Sequence, residues 1–258
     1  GATTTALDLT NASISANTVI LSSDNLTDLL NSVVNQPATI HTTDLIVNSD
    51  ESGLDVTSAV ENAFTFLNND NIGTATINQS AGTFSFNNTL AISEAGELNI
   101  QANSIAFKHN VFANNLDLNL YSNNVAINIG MDEPSDTDDQ TFGGTNGLNS
   151  LLINVTGNDR VIDIYEDITT SGNLTLEGPV QLHTENNTTP TLYSKTGDIS
   201  ITEALTGINS TGELLLRGNS IALESATNFN KIEFNADSIY LSGDIEATEN
   251  IKSNSLAK

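Results

Sequence analysis

The sequence predicts a mainly β chain, a β-solenoid or an intertwined β-fibre of short strands, with two short α-helices near the N-terminus. Three observations predict it. Apolar residues alternate with polar ones over many short runs, Gly, Asn, Asp and Ser separate those runs, and one strand-corner-strand pattern recurs along the chain.

The alternation comes first. Leu7-Asp8-Leu9-Thr10, Thr83-Phe84-Ser85-Phe86, Leu98-Asn99-Ile100-Gln101 and Leu116-Asp117-Leu118-Asn119-Leu120 place an apolar side chain at every second position. So do Ile162-Asp163-Ile164, Leu174-Thr175-Leu176 and Ile232-Glu233-Phe234. A period of two is the signature of a strand with one buried and one wet face. The intervening Gly, Asn, Asp and Ser tolerate tight turns and left-handed backbone.

Two segments depart from this period. From Asp24, the residues Leu26, Leu29, Leu30, Val33 and Val34 fall at helical spacing until Pro37, with Asp24 as the N-cap. From Asp55, the stripe Val56, Ala59, Val60, Ala63, Phe64 and Leu67 predicts a second amphipathic helix, ended by Asn68-Asn69-Asp70-Asn71. The chain divides accordingly into a first β segment (1–23), a small helical insertion or subdomain (24–72), a β-repeat region (73–130), an acidic loop (131–150) and a second β-repeat region (151–258).

The recurrent pattern is clearest between Gly96-Glu97-Leu98-Asn99-Ile100-Gln101-Ala102-Asn103-Ser104-Ile105-Ala106-Phe107 and Gly212-Glu213-Leu214-Leu215-Leu216-Arg217-Gly218-Asn219-Ser220-Ile221-Ala222-Leu223. Shorter copies are Ala16-Asn17-Thr18-Val19-Ile20-Leu21, Ser122-Asn123-Asn124-Val125-Ala126-Ile127 and Ala236-Asp237-Ser238-Ile239-Tyr240-Leu241. A small residue followed by Asn or Asp turns the chain, because the Asx side chain mimics a backbone turn. Ala102 and Ser122 are 20 residues apart and Gly218 and Ala236 are 18 apart. That step suits one coil of a solenoid.

The twelve-residue pattern resembles the repeats of secreted filamentous-haemagglutinin-type adhesins. The stretch from Thr156-Gly157-Asn158-Asp159-Arg160-Val161-Ile162 to Ser171-Gly172-Asn173-Leu174-Thr175-Leu176-Glu177-Gly178, and Ser242-Gly243-Asp244-Ile245-Glu246-Ala247, resemble tailed-phage fibre and baseplate-appendage proteins. These resemblances imply an extracellular β-rich module and carry over no catalytic residue. The two helices and residues 131–150 fit neither pattern.

Composition narrows the function. The chain carries 32 Asp and Glu against 7 Lys and Arg, for a formal charge of −25, and has no Cys or Trp. Disulfides and Cys-based metal or redox sites are excluded. The first cation is Lys108, so eleven carboxylates precede any positive charge. Such a surface repels nucleic acid and anionic membranes, and no apolar run has the ~18 residues of a membrane span. Asn, Ser and Thr supply 93 of the 258 residues, so most of the nine Asn-x-Ser/Thr triplets are expected from composition alone.

Candidate chemistry is sparse. Met131-Asp132-Glu133-Pro134-Ser135-Asp136-Thr137-Asp138-Asp139 gathers five carboxylates and could bind Ca²⁺, yet it lacks the EF-hand spacing, so a solvated acidic loop is the expectation. Asp50, Glu51 and Asp55 suit the start of the second helix. His41, His109 and His183 have no metal-ligand spacing. No catalytic, cofactor-binding or metal residue is assigned, and no cofactor is expected. The expected role is a non-enzymatic extracellular structural protein, a fibre or appendage module of a virion, with a bacterial surface adhesin or filament subunit as the alternative. A carbohydrate-binding or -degrading β-helix is disfavoured by the scarcity of aromatic and basic residues. Expected partners are copies of the chain itself, as a homotrimer or an end-to-end filament, and a cell-surface receptor.

Overall fold

The computed structural model describes residues 13–15, 18–23, 39–41, 44–49, 54–55, 74–79, 83–86, 90–92, 96–108, 110–113, 116–123, 125–130, 141–144, 147–183, 190–208 and 212–255. Most strands form where the sequence alternates, and every pairing among them is parallel.

In chain order the strands are β1 (Ser13–Ser15), β2 (Thr18–Ser23), β3 (Thr39–His41), β4 (Asp44–Ser49), β5 (Leu54–Asp55), β6 (Thr74–Gln79), β7 (Thr83–Phe86) and β8 (Leu90–Ile92). There follow β9 (Gly96–Ala102), β10 (Ser104–Phe107), β11 (Val111–Ala113), β12 (Leu116–Ser122), β13 (Ala126–Ile129), β14 (Thr141–Phe142), β15 (Ser150–Val155), β16 (Val161–Ile164) and β17 (Asp167–Thr170). The rest are β18 (Leu174–Glu177), β19 (Val180–His183), β20 (Thr191–Ser194), β21 (Ile199–Ile208), β22 (Glu213–Arg217), β23 (Ser220–Asn235), β24 (Ser238–Leu241) and β25 (Ile245–Asn254).

Apart from β1 and β3, which pair with each other, pairing sorts these strands onto three faces of a parallel β-solenoid. The first face stacks β2, β4, β6, β9, β12, β15 and β18, then the starts of β21 and β23, then β24. The second stacks β5, β7, β10, β13, β16 and β19, then the later part of β21, the middle of β23 and the start of β25. The third carries β8 and β11, then β14, β17, β20 and β22 and the ends of β23 and β25. The Gly143 amide donates to the Val111 carbonyl at 2.8 Å and joins the two parts of that face. These coils close within one chain.

The period of two decides what each face buries. In β12, Leu116, Leu118, Leu120 and Ser122 point inward while Asp117, Asn119 and Tyr121 point out. Because the strands are parallel and in register, inward residues form columns. Leu98, Leu118, Leu151, Leu174, Ile199, Ile221 and Ile239 stack as successive partners on the first face. All but the last are sealed from solvent, which stabilises by roughly 1.5–3 kcal/mol per side chain. Phe107 lies flat on Phe86 (centroids 4.4 Å, 2° between planes) and edge-on to Phe142 (5.1 Å, 84°). Buried hydroxyls at the corners are all engaged. Ser122 Oγ reaches the carbonyls of Asn103 (2.7 Å) and Val125 (3.0 Å), and Thr170 Oγ1 and Ser194 Oγ both donate to the Gly172 carbonyl.

The numbers of the stacked partners give coils of 20, 33, 23, 25, 22 and 18 residues between Leu98 and Ile239. The expected step of 18 to 20 therefore holds for the first and last of these, and the middle coils are longer at their corners. The 33-residue coil contains the acidic run 131–139, which lies outside the described residues.

The two expected helices also fall outside the described residues, except at Asp55, which is in strand β5 rather than at a helix start. Within 24–72 the described residues are strands. Leu45-Ile46-Val47 is apolar, with Ile46 and Val47 β-branched, and β4 pairs over six residues with both β2 and β6, so this stretch belongs to the same stack at those positions.

Candidate functional site

The chemistry-bearing side chains of this molecule lie along its outer faces. On the first face, Asn119 Nδ2 donates to Glu97 Oε1 and Asn99 Oδ1, each at 2.9 Å, one coil back. Asn149 Nδ2 and Ser150 Oγ donate to Asp117 Oδ1 at 2.7 and 2.5 Å, and Asn154 bonds to Glu177. Each bond joins neighbouring coils. The alternation that buries Leu118 and Leu120 is what aims Asp117 and Asn119 outward.

A second set lines the corner leading into the first face. Small residue plus Asn or Asp recurs there as Gly172-Asn173, Gly197-Asp198, Gly218-Asn219 and Ala236-Asp237. The Asp198 amide donates to Asn173 Oδ1 at 3.0 Å, and Asp198 Oδ1 accepts from Asn219 Nδ2 and the Ser220 amide, both at 3.1 Å. The Ser220 hydroxyl and then the Asn219 amide hold the Asp198 carboxyl below its ordinary range, opposed by a lesser desolvation. Backbone bonds continue the ladder, Gly172 N–H to Asn149 O at 2.7 Å and Asp237 N–H to Asn219 O at 3.0 Å.

Charged pairs brace the other faces. Arg160 reaches Glu203 at 2.7 Å, and Lys231 pairs with Glu213 and, at 3.6 Å, with Glu249. The Lys231 ammonium is held charged above its usual range chiefly by Glu213. Arg217 lies 4.8 Å from the centre of the Tyr193 ring. Tyr121 is pushed up by burial and by the fields of Glu97 and Glu177, so its phenol stays neutral.

Of the three histidines, His183 is on β19, where Nε2 is 2.7 Å from Asp163 Oδ1 and the ring stacks on Tyr165 at 4.0 Å. The pair bridges β16 and β19, adjacent strands of the second face, and so reads as another brace. His41 is in β3, and His109 lies outside the described residues, as do Asp50 and Glu51. Among the described residues no group of three or more His, Cys, Asp or Glu is placed to hold a metal ion, and no helix is long and apolar enough to cross a membrane.

Strands β24 and β25 carry exposed apolar side chains. Among the described residues β24 and β25 each pair with β23 alone. Ile239, Ile245 and Ala247 are only partly covered, and Tyr240, Leu241 and Ile251 are 69%, 41% and 48% exposed.

Fold and surface together define a parallel β-solenoid whose outward side chains bond between successive coils. No family model, no curated protein and no solved structure matches this chain.

Proposed function

We propose that this chain is a non-enzymatic extracellular structural module, a rod segment of a fibre or appendage, in the first reading of a virion. One observation carries the reading: outward polar side chains bond from coil to coil, as in Glu97–Asn119–Asn99 and Asn173–Asp198–Asn219, so the surface reinforces the same axis that the apolar columns build. Stacked coils depend on their neighbours for burial, which makes a stiff quasi-linear body. The charge of −25 keeps such rods apart laterally and repels nucleic acid.

A bacterial cell-surface adhesin or filament subunit, meeting a receptor or its own copies, is the second reading, and the twelve-residue pattern shared by Gly96–Phe107 and Gly212–Leu223 favours it. Immunogold labelling of intact and of broken preparations from the source tests both. Label on intact virions is expected for the first reading and label on intact cell surfaces for the second. Label that appears only after cells are broken contradicts the extracellular role.

A further inference from the structure

We propose that Arg217, presented by Tyr193 on the third face, is a binding site for a carboxylated sugar. The inference deepens the structural-module reading, because it supplies the chemistry of the receptor that such a module meets.

The placement of the cations points to this face. Every Lys or Arg that stands on a described strand, namely Arg217, Lys231 and Lys252, belongs to the third face. Lys195 follows directly on β20, where the chain leaves that face. The described strands of the first two faces carry only Asp and Glu as charged residues. Basic residues are scarce in this chain, and the third face concentrates them.

These cations differ in what they touch. Lys231 is engaged by Glu213 and Glu249, and Arg160 by Glu203. Arg217 is exposed, and among the described residues no carboxylate lies within 4.0 Å of it. Its guanidinium lies over the Tyr193 ring instead, 4.8 Å from the centre. Glu233, the register partner of Leu215, accepts from Asn235 Nδ2 at 3.1 Å and Asn254 Nδ2 at 3.0 Å. A guanidinium stacked by its flat side keeps its edge N–H groups for a ligand, and that fork matches the two oxygens of a carboxylate. Stacking also orders the long side chain in advance, which lowers the cost of binding.

The setting is interior to the stack. β22 pairs with β20 on one side and with β23 on the other. Thr169, Tyr193, Arg217 and Asn235 are successive register partners, with Thr191 and Leu215 in the adjoining column. Hydroxyl and amide groups around one fork suit a carboxylate that sits among hydroxyls, as in a uronic acid. The single half-buried leucine offers little to an apolar side chain. The charge of −25 repels long polyanions at a distance, so an isolated carboxylate fits where a polysulfated chain does not.

Saturation-transfer NMR on the full chain, with glucuronate, glucose and N-acetylglutamate titrated into the millimolar range, tests the site. Glucuronate is expected to bind at least about tenfold more tightly than the other two, which lack either the carboxylate or the hydroxyl-bearing ring. Arg217→Gln should weaken glucuronate by about tenfold or more, and Arg217→Lys, which keeps the charge and loses the fork, by a smaller factor. Because Arg217 is exposed, both variants should keep the wild-type circular dichroism spectrum. Lys108→Gln, between β10 and β11 on an earlier coil, removes the same charge and should leave binding within about twofold. No binding of glucuronate, equal binding of glucose or N-acetylglutamate, or unchanged binding in Arg217→Gln would each overturn the proposal. Equal binding of N-acetylglutamate would point to an acidic peptide instead. None of these results touches the extracellular rod reading, which immunogold labelling decides separately.

Discussion

Gly197 shows how tightly successive coils meet at a corner. A Cβ built there lies 2.4 Å from the Gly172 carbonyl carbon and 2.6 Å from the Asn173 amide nitrogen, both backbone atoms of the previous coil. At Gly218 the nearest atom is a side-chain carbon, Ile199 Cγ1, at 3.2 Å. Gly197→Ala is therefore expected to destabilise by about 1–3 kcal/mol, because backbone cannot step aside. Gly218→Ala is expected to stay within about 0.5 kcal/mol, and urea melts of both variants measure the contrast. Asp198, in the same corner, sets a pH dependence. Its folded-state pKa is depressed, first by the Ser220 hydroxyl. The stability it confers is present above the unfolded value of about 3.9 and is lost as pH falls through the lower folded value. Melting temperatures of wild type and Asp198→Asn should differ at pH 6 and converge only as pH falls through the folded-state value, which lies below the unfolded one. The gap at pH 6 should be less than about 1 kcal/mol, since the group is exposed. A gap that widens in acid would contradict the assignment.

At the scale of the element, β23 runs through sixteen residues and all three faces. It bends at Asn228, the only described non-glycine residue with positive φ, at 65°. Gly207 in the coil below leaves room for that bend, since a Cβ there would meet the Asn228 carbonyl oxygen at 2.4 Å. Asn228→Val should cost about 1–2 kcal/mol, the penalty of a β-branched residue in left-handed backbone, whereas Asn228→Gly should stay within about 1 kcal/mol. Thermal melts would decide, and equal losses in both variants would remove the backbone explanation.

The strands themselves were legible, because a period of two has one physical meaning at Leu116–Leu120 or Leu174–Leu176. The repeat was legible in kind and misleading in phase. Gly96–Phe107 turns from the first face to the second, while Gly212–Leu223 turns from the third to the first. The motif encodes a corner, and any corner of the coil can use it. The two shorter steps, Ala102 to Ser122 and Gly218 to Ala236, each join equivalent corners and so give true coil lengths. The braces were not legible. Asp163 and His183, or Arg160 and Glu203, meet only because loops of unequal length restore the register between their strands. No local pattern carries that sum.

For the whole molecule, parallel stacking within one chain carries every other conclusion. The absence of Cys makes it open to a clean cross-linking test. Thr175, Ser200 and Ala222 point outward as successive register partners on the first face. Neighbouring parallel strands are about 4.8 Å apart, within the 4.4–6.8 Å reach of a disulfide between Cα atoms, and alternate strands are about twice as far. Oxidation of Thr175→Cys/Ser200→Cys should therefore close a disulfide inside one chain, seen as a mobility shift at unchanged mass, while Thr175→Cys/Ala222→Cys should stay reduced. Cross-links between chains in the first pair would mean an intertwined fibre, and closure of the second pair would mean a different register. Either would contradict the solenoid.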